Sequence, residues 1–522
     1  MDLGQFAYDP RSSQGPPAMP SYWSGGGGGG GGRRRARAKW DALGDDIVTH
    51  VFEFLNDWEL AKLARMDRRT HALAKAAIQR KLKLSPSQWD AFRAVVERRE
   101  SVLVMGPPGS GKSFLLNILK TRMRRPLVTA STGAAAEKIG ARTFHSALGL
   151  GLGGSTIGQI MSKPAACRTQ ITTCRSIVID EISMLSDKIL SLAEAVVRQT
   201  LGGMPQLVAS GDPMQLSAVA ALTEGPFYTS KLVKGLRPYI LKESHRQGGG
   251  GKFLRVLNRA RLGEARAQDV NWLRNHSMPA DKATHEPPRL FCTLRETQAY
   301  NDSAMARLPG EAATFTLSAT GTPAALSKWS STLPGEVALK VGARVILLIN
   351  LRSGTGLHNG STGTVLAMHE ACVFVQFDNG TRQSIGKHRT ELVKDEKVLA
   401  SRTQLPLLVA FAVSVHRAQG ATLDSLVLDL TSCFAAGQAY VALSRVRKVS
   451  DVHIRGLTLR ALNMVDTGAL QFYEKTAARA HRHHLARREA ERKRTEVDFF
   501  GGLHDDALVA MAERAERAHA AR

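Results

Sequence analysis

One stretch, Gly106-Pro107-Pro108-Gly109-Ser110-Gly111-Lys112-Ser113, constrains this chain more than any other. It joins a strand-like apolar run, Val102-Leu103-Val104-Met105, to an apolar helical start, Phe114-Leu115-Leu116. The spacing is G-x-x-x-x-G-K-S, and between a strand and a helix that pattern forms a loop whose backbone N–H groups converge on phosphates. Lys112 then brings positive charge to the β- and γ-phosphates, and Ser113 offers a hydroxyl to Mg²⁺. By itself the pattern supports nucleotide binding and nothing narrower, because kinases, transporters and GTPases share it.

Phosphate transfer also needs carboxylates at the end of a neighbouring strand, to hold the metal and polarise the attacking water. Ser176-Ile177-Val178-Ile179-Asp180-Glu181 supplies two. Asp180 is expected to hold Mg²⁺ through water and Glu181 to activate the nucleophile. A third apolar run, Leu207-Val208-Ala209, ends in Ser210-Gly211-Asp212-Pro213-Met214-Gln215, a polar turn from which Gln215 can reach a γ-phosphate. Alone, each of these is a strand entering an ordinary turn; their order behind the phosphate loop gives them weight.

From Ser85-Pro86-Ser87 onward, strand-like runs alternate with helical patterns, which predicts α/β domains with parallel sheets. The 522 residues allow three or four domains. Residues 1–39, with an unbroken run from Gly25 to Gly32 and then Arg33-Arg34-Arg35-Ala36-Arg37, carry too little apolar surface to offset ordering entropy and are read as a disordered tail. Ile47, Val51, Phe54, Leu55, Leu60, Leu63 and Met66 recur at helical spacings and predict two or three short helices over 40–80. Residues 466–522 contain a His/Arg-rich run, Arg479 to Arg494, expected to be a solvated helix. Arg33 to Arg37 reads as a nuclear address, a weak phosphate clamp or a plain solvated charge run, and Arg479 to Arg494 as a solvated helix or a second nuclear address.

Lys and Arg number 71 against 46 acidic residues, a net charge of +25, so the summed field attracts polyanions and nucleic acid is the natural partner. The five cysteines, Cys167, Cys174, Cys292, Cys372 and Cys433, form no CxxC pairs, which argues against a disulfide framework or a zinc site. No apolar run approaches a membrane span, and no signal peptide is expected, so the reading is an intracellular, nuclear chain without membrane attachment.

Taken in order, these motifs resemble the Pif-type (petite integration frequency) helicases of superfamily one B over roughly residues 84–460. The resemblance implies two RecA-like P-loop NTPase domains, at 84–235 and at 236–335 with 400–465, and a small β-barrel insertion at 336–399. It implies an ATP- and Mg²⁺-dependent helicase moving 5′-to-3′ on single-stranded DNA, meeting duplex junctions, acting as a monomer in replication, repair, recombination or telomere maintenance. Gln88 matches an adenine-reading glutamine. Ala130-Ser131-Thr132-Gly133 and Thr143-Phe144-His145 match strand-gripping motifs, where small residues admit phosphates and Phe144 or His145 stacks on a base. Phe144 as a core residue is the competing reading. Arg246 and Arg445 match arginine fingers. In Ser414-Val415-His416-Arg417-Ala418-Gln419-Gly420, the resemblance places Gln419 and Gly420 at the γ-phosphate, and Ser414 and His416 nearer the strand.

Leu43-Gly44-Asp45-Asp46-Ile47 through Leu55, then Trp58, Leu60, Leu63 and Met66-Asp67-Arg68-Arg69, resembles an F-box, departing from it at Gly44 and Thr70. That resemblance implies a Skp-type adaptor of a cullin ubiquitin ligase as partner; a helical prefix packed on the motor is the alternative. Two rival functions stand beside the helicase: an F-box substrate adaptor with a non-unwinding platform, and an ATPase that remodels protein on DNA.

If the +25 charge is neutralised on phosphates, DNA affinity falls linearly with salt on logarithmic axes, as counterions are released. Fluorescence anisotropy across a salt series measures the slope, and a flat response would place the basic residues away from DNA.

Overall fold

The computed structural model describes residues 68–150, 156–161, 169–217, 221–243, 245–246, 251–279, 288–321, 326, 335–349, 351, 357, 360–394, 397–420, 422–423 and 425–497. Contacts divide the chain into residues 83–492 and a second unit made of 1–82 with 493–522. Most of the F-box-like stretch, residues 40–67, lies outside the described residues. Its end, Arg68–Lys81, is a helix.

Within residues 83–492 the first sheet has six parallel strands: β1 (Val102–Met105), β2 (Pro126–Ala130), β3 (Arg142–Thr143), β4 (Ser176–Asp180), β5 (Gln206–Gly211) and β6 (Arg237–Ile240). Their order is β3-β2-β4-β5-β1-β6. Every residue of β1 and β4 is buried, the mark of central parallel strands covered on both faces. Leu103, Ile177, Leu207 and Ala209 pack with Leu190 and Val197 of the helix Asp187–Leu201 in one core. Because β4, β5 and β1 are parallel neighbours, their carboxyl ends deliver Asp180, Asp212 and the 106–113 loop to one edge. Strand β6 pairs with β1, so the first domain continues past the expected limit at residue 235. The Arg-Pro dipeptide at its start obscures it as a strand, and proline is tolerated there because β6 lies at the sheet edge.

The second sheet is also parallel. It begins with β7 (Arg289–Phe291) and resumes after a long insertion. The insertion comprises β8 (Ala313–Thr316), β9 (Ser318–Gly321), β10 (Glu336–Leu339), β11 (Arg344–Leu347), β12 (Thr362–Met368), β13 (Cys372–Phe377), β14 (Arg382–Gly386), β15 (His388–Lys394), β16 (Lys397–Gln404) and β17 (Leu407–Val409). β18 (Ala412–Ser414), β19 (Leu426–Asp429) and β20 (Val452–Arg455) then complete the order β18-β7-β19-β20.

The insertion is larger than the 336–399 expected from glycine turns alone, running from Ala313 to Val409. Its five-stranded sheet, β14-β13-β12-β11-β17, is antiparallel and ends in two edges, so among the described residues no pairing closes it into a barrel. Phe315, Val337 and Leu339 from outside that sheet share a core with Val345, Val375, Phe377 and Leu407. Those contacts bind the early and late strands, separated by about the whole insertion in sequence, into one body.

The helix Thr467–Val497 is packed through its first turns, ahead of the largely exposed run that begins at Arg479. Ala469, Phe472, Tyr473 and Thr476 recur at three- and four-residue spacing and form an inward face that the neighbouring His/Arg density hides in the sequence. Phe472 meets Phe227 edge-on at 5.9 Å and stacks on Tyr228 at 5.7 Å. Arg479 donates to the carbonyls of Lys234 and Leu236, and Arg487 donates to Asp90 and to the Tyr239 hydroxyl. Among the described residues no helix is long and apolar enough to cross a membrane.

Phe472→Ala should destabilise the chain by on the order of 3 kcal/mol, the cost of emptying a packed aromatic site. Urea denaturation checks it; an unchanged midpoint would mean that the helix contributes no packing.

Candidate active site between two parallel sheets

Each half of the site is set by a strand that ends and a loop that must turn sharply. At the end of β1 the chain enters the 106–113 loop, where Gly109 and Gly111 have φ of +81° and +80°. A Cβ at 111 would also crowd Gln88 Nε2, so a side chain there would displace the glutamine amide. Gln88 is buried in the first turn of the helix Pro86–Val96. Its Oε1 accepts from the Ser85 N–H at 3.0 Å, and its Nε2 donates to the carbonyls of Ser110 and Gly111 at 3.2 and 3.4 Å. Gln88, the glutamine expected to read adenine, thus meets the phosphate loop through its side-chain amide.

Lys112 opens the helix Lys112–Arg122 and is only 7% exposed. Its ammonium donates to the carbonyls of Gly106 at 2.7 Å and Pro107 at 3.1 Å. Burial lowers its pKa, against the opposing pull of Glu181, Asp212 and Asp180. Next to it, Ser113 Oγ donates to Asp180 Oδ2 at 2.8 Å. Ser210 Oγ donates to Asp180 Oδ1 at 2.5 Å, and the Glu181 N–H to the same oxygen at 2.9 Å. Asp180 is therefore oriented on three sides. Glu181 follows at φ +52°, a left-handed conformation rare for a residue with a side chain, at the turn out of β4.

These groups line one cavity of about 390 Å³. Pro108, Gly109, Gly111, Lys112, Ser113, Asp180, Glu181 and Gln215 come from the first domain; Gly420 and Arg445 come from the second, and Arg246 from the connection between them. Gln215 is buried, and its Oε1 has no hydrogen-bond partner among the described residues. Gln419, beside Gly420, is buried, and neither of its amide atoms has a hydrogen-bond partner among the described residues. Buried amides without partners are costly, and both are suited to a polar occupant.

The two arginines meet on the short helix Gln438–Leu443 and the turn after it. Arg246 Nη1 donates to the Ser444 carbonyl at 2.8 Å, while Arg445 donates through Nε to the Val441 carbonyl and through Nη2 to Ser444 Oγ, both at 2.7 Å. Arg445 is 1% exposed, and burial together with neighbouring Arg246 pushes its pKa down to about 10. Burial likewise lowers that of Arg246. Two guanidiniums and an ammonium facing one cavity relieve their mutual repulsion when an anion of several charges enters it.

Metal binding has a narrower basis. Among the described residues no three His, Cys, Asp or Glu side chains converge as a cage. The Ser113–Asp180 pair fits a hard cation that keeps most of its shell as water and phosphate oxygen, the habit of Mg²⁺.

The residues expected at DNA do not line this cavity. Phe144 is a correction: it is 1% exposed, packed among Ile177, Ile179 and Ile182, and so cannot stack on a base. The short helix Phe144–Ala147 turns its aromatic inward and leaves His145 half-buried at the surface, where burial lowers its pKa. Thr132 Oγ1 caps the next turn by accepting from the Ala135 N–H, beside Gly133. Ser414 is also more buried than expected, 7% exposed, with its hydroxyl accepting from the Arg417 N–H. His416 is half-buried, its pKa lowered by burial. The cavity also recruits His245, Thr422 and Arg447, which the sequence reading passed over. Their signal was adjacency: each lies within two residues of a position already singled out.

Comparison with known proteins places this geometry among relatives. A family model described as an AAA domain matches residues 83–279. The ATP-dependent DNA helicase Pif1 of Bdellovibrio bacteriovorus is 30% identical over 411 residues, spanning 75% of this chain and 92% of that protein. The human ATP-dependent DNA helicase PIF1 is 33% identical over 416 residues, spanning 75% of this chain and 64% of that protein. Among solved structures, Pif1 helicase from Candida albicans is similar with a TM-score of 0.67 at 28% identity, covering 75% of this chain and 99% of that one. A Bacteroides Pif1 helicase in complex with ADP-AlF3 and ssDNA shares the fold, with a TM-score of 0.64 at 24% identity over 76% and 97% of the two chains.

For Phe144, the core position predicts that Phe144→Ala costs about 3–5 kcal/mol of stability while the bulkier Phe144→Met costs distinctly less. Chemical denaturation separates the two. Equal stability of both variants with the wild type would contradict a packing role.

Proposed function

Because the chain belongs to the Pif1 family of ATP-dependent DNA helicases, we propose that this cleft hydrolyses ATP to drive the protein 5′-to-3′ along single-stranded DNA. The observation that carries the reading is the convergence of Lys112, the Ser113–Asp180 pair, Arg246 and Arg445 on one cavity between two parallel sheets. Neither sheet alone supplies both the cradle and the arginines.

The steps follow from what each group can do. Triphosphate oxygens accept the N–H groups of the 106–113 loop, and Lys112 exchanges its loop carbonyls for the β- and γ-oxygens. Ser113 and Asp180 would hold Mg²⁺, which neutralises charge across those oxygens when bound. Glu181, carried beside Lys112 by the strained turn, accepts a proton from the attacking water; Gln215 orients that water or the γ-phosphate with its unpartnered oxygen. Arg246 and Arg445 stabilise the charge that develops on the γ-phosphoryl group. Since Arg445 belongs to the second domain and Lys112 to the first, hydrolysis requires the two to close on the nucleotide, and release lets them part. Alternate closing and opening moves two DNA-gripping surfaces relative to each other, with Thr132, Gly133 and His145 on one domain and His416 on the other.

Hydrolysis by the wild type should rise strongly with single-stranded DNA, and Lys112→Ala or Arg445→Ala should lower kcat by roughly 10³-fold or more, the scale of a lost phosphate lysine or arginine finger. The decisive measurement pairs ATPase rates with unwinding of duplexes bearing a 5′ or a 3′ single-stranded tail. Hydrolysis indifferent to DNA would sink the motor reading; unwinding only from a 3′ tail would reverse the polarity.

A further inference from the structure

A buried ion pair away from the cavity joins the two halves of the site. Asp212 is fully buried at the first position after β5, in the turn that carries Gln215; its own carbonyl accepts from the Gln215 N–H at 3.1 Å. Its Oδ1 accepts from the Met214 N–H at 3.2 Å and from Arg261 Nη2 at 2.8 Å, and Arg261 Nε lies 3.2 Å from both oxygens. The remaining bond to Oδ2 comes from the Tyr440 hydroxyl at 3.2 Å. Arg261 belongs to the helix Lys252–Leu262, and Tyr440 to the helix Gln438–Leu443, whose following turn bears Arg445. A ring of the long C-terminal helix, Tyr473, covers the outer face of the guanidinium at 4.2 Å.

Backbone contact reinforces the side chains. Gly437, at φ +75°, begins the Tyr440 helix against the same turn, and a Cβ there would lie 2.6 Å from the Met214 carbonyl. The turn with Gln215 and the helix leading to Arg445 are thus pressed together at Gly437 and tied by Asp212, Arg261 and Tyr440.

We infer that Arg261 is a positioning residue: with Asp212 and Tyr440 it fixes the register between the Gln215 turn and the Arg445 helix, so that both reach the γ-phosphate in the same closed state. The inference rests on the motor reading and adds to it the device by which the water-side glutamine and the finger act together.

Electrostatics agrees with that geometry. Burial alone would push the Asp212 carboxyl up and the Arg261 guanidinium down, yet each moves the other way because the partner faces it. Lys112, Tyr440 and Tyr473 are the other titratable groups facing this pair. A fully buried ion pair adds little to stability compared with apolar groups of the same size, because desolvation offsets the attraction. A fork of directed hydrogen bonds does specify orientation, which a hydrophobic contact cannot.

The contrast between stability and register provides the test. In the full-length chain, Arg261→Met leaves Asp212 charged and unpaired, whereas Arg261→Met with Asp212→Asn removes both charges and keeps the volume. Both should show kcat for DNA-stimulated hydrolysis lowered at least about tenfold, with KM for ATP and affinity for ADP within about twofold of wild type. The double variant should unfold close to the wild-type temperature and lose no more kcat than Arg261→Met, since the two side chains act as one unit. Arg261→Lys, which keeps the charge without the fork, should fall between. Wild-type kcat in folded Arg261→Met, or a loss that only tracks the folded fraction, overturns the inference and leaves the motor reading standing. A wild-type chain without DNA-stimulated hydrolysis removes both.

Discussion

A lysine ammonium held almost completely out of water is the constraint around which the site is arranged. Desolvating a cation costs several kcal/mol unless polar groups surround it. Two carbonyls of its own loop bond to Lys112, and three carboxylates, on Glu181, Asp212 and Asp180, act on it through space. Those carboxylates come from the ends of β4 and β5 because β5 pairs in parallel with β1, and β4 with β5, in the order β4-β5-β1. Strand order therefore decides which charges face the lysine. A triphosphate entering this setting replaces internal compensation with its own charge.

The other side of the cavity supplies the opposite kind of tension. Arg246 and Arg445 are held by carbonyls and a hydroxyl near Ser444, with burial and mutual repulsion both acting against their charge. Such a pair is stable only because its N–H groups are bonded, and it is strengthened by a polyanion. The same short helix that presents Arg445 also carries Tyr440, whose hydroxyl reaches back to Asp212 beside the Gln215 turn. Packing of the C-terminal helix through Phe472 and Tyr473 closes the outside of this junction.

The legible parts of the sequence were those in which a local pattern fixes local geometry. Gly106 to Ser113 had to be a loop between strand and helix, and the apolar runs ending at Asp180 and Gly211 had to be buried strands. The family resemblance supplied the arginines and the strand-gripping positions. What failed was orientation. Phe144 sits in a motif next to His145, and only the direction of one helical turn sends the aromatic ring into the core and the imidazole toward the surface. Gln88 was legible as a special residue, but the carbonyls its amide meets belong to a loop more than twenty residues later.

Sequence by itself determined the class of fold, the glycine-rich loop from Gly106 to Ser113 between strand and helix, the strand ending at Asp180 and the excess of positive charge, because each rests on residue types at short spacing. Tertiary structure decided how far the insertion extends, which sheet owns β6, that the first turns of the C-terminal helix are packed, and that Asp212, Arg261 and Tyr440 meet. Each of these depends on pairing between segments far apart in the chain, where hydrogen-bond partners and packing faces are chosen by the assembled core and leave no local spacing to read.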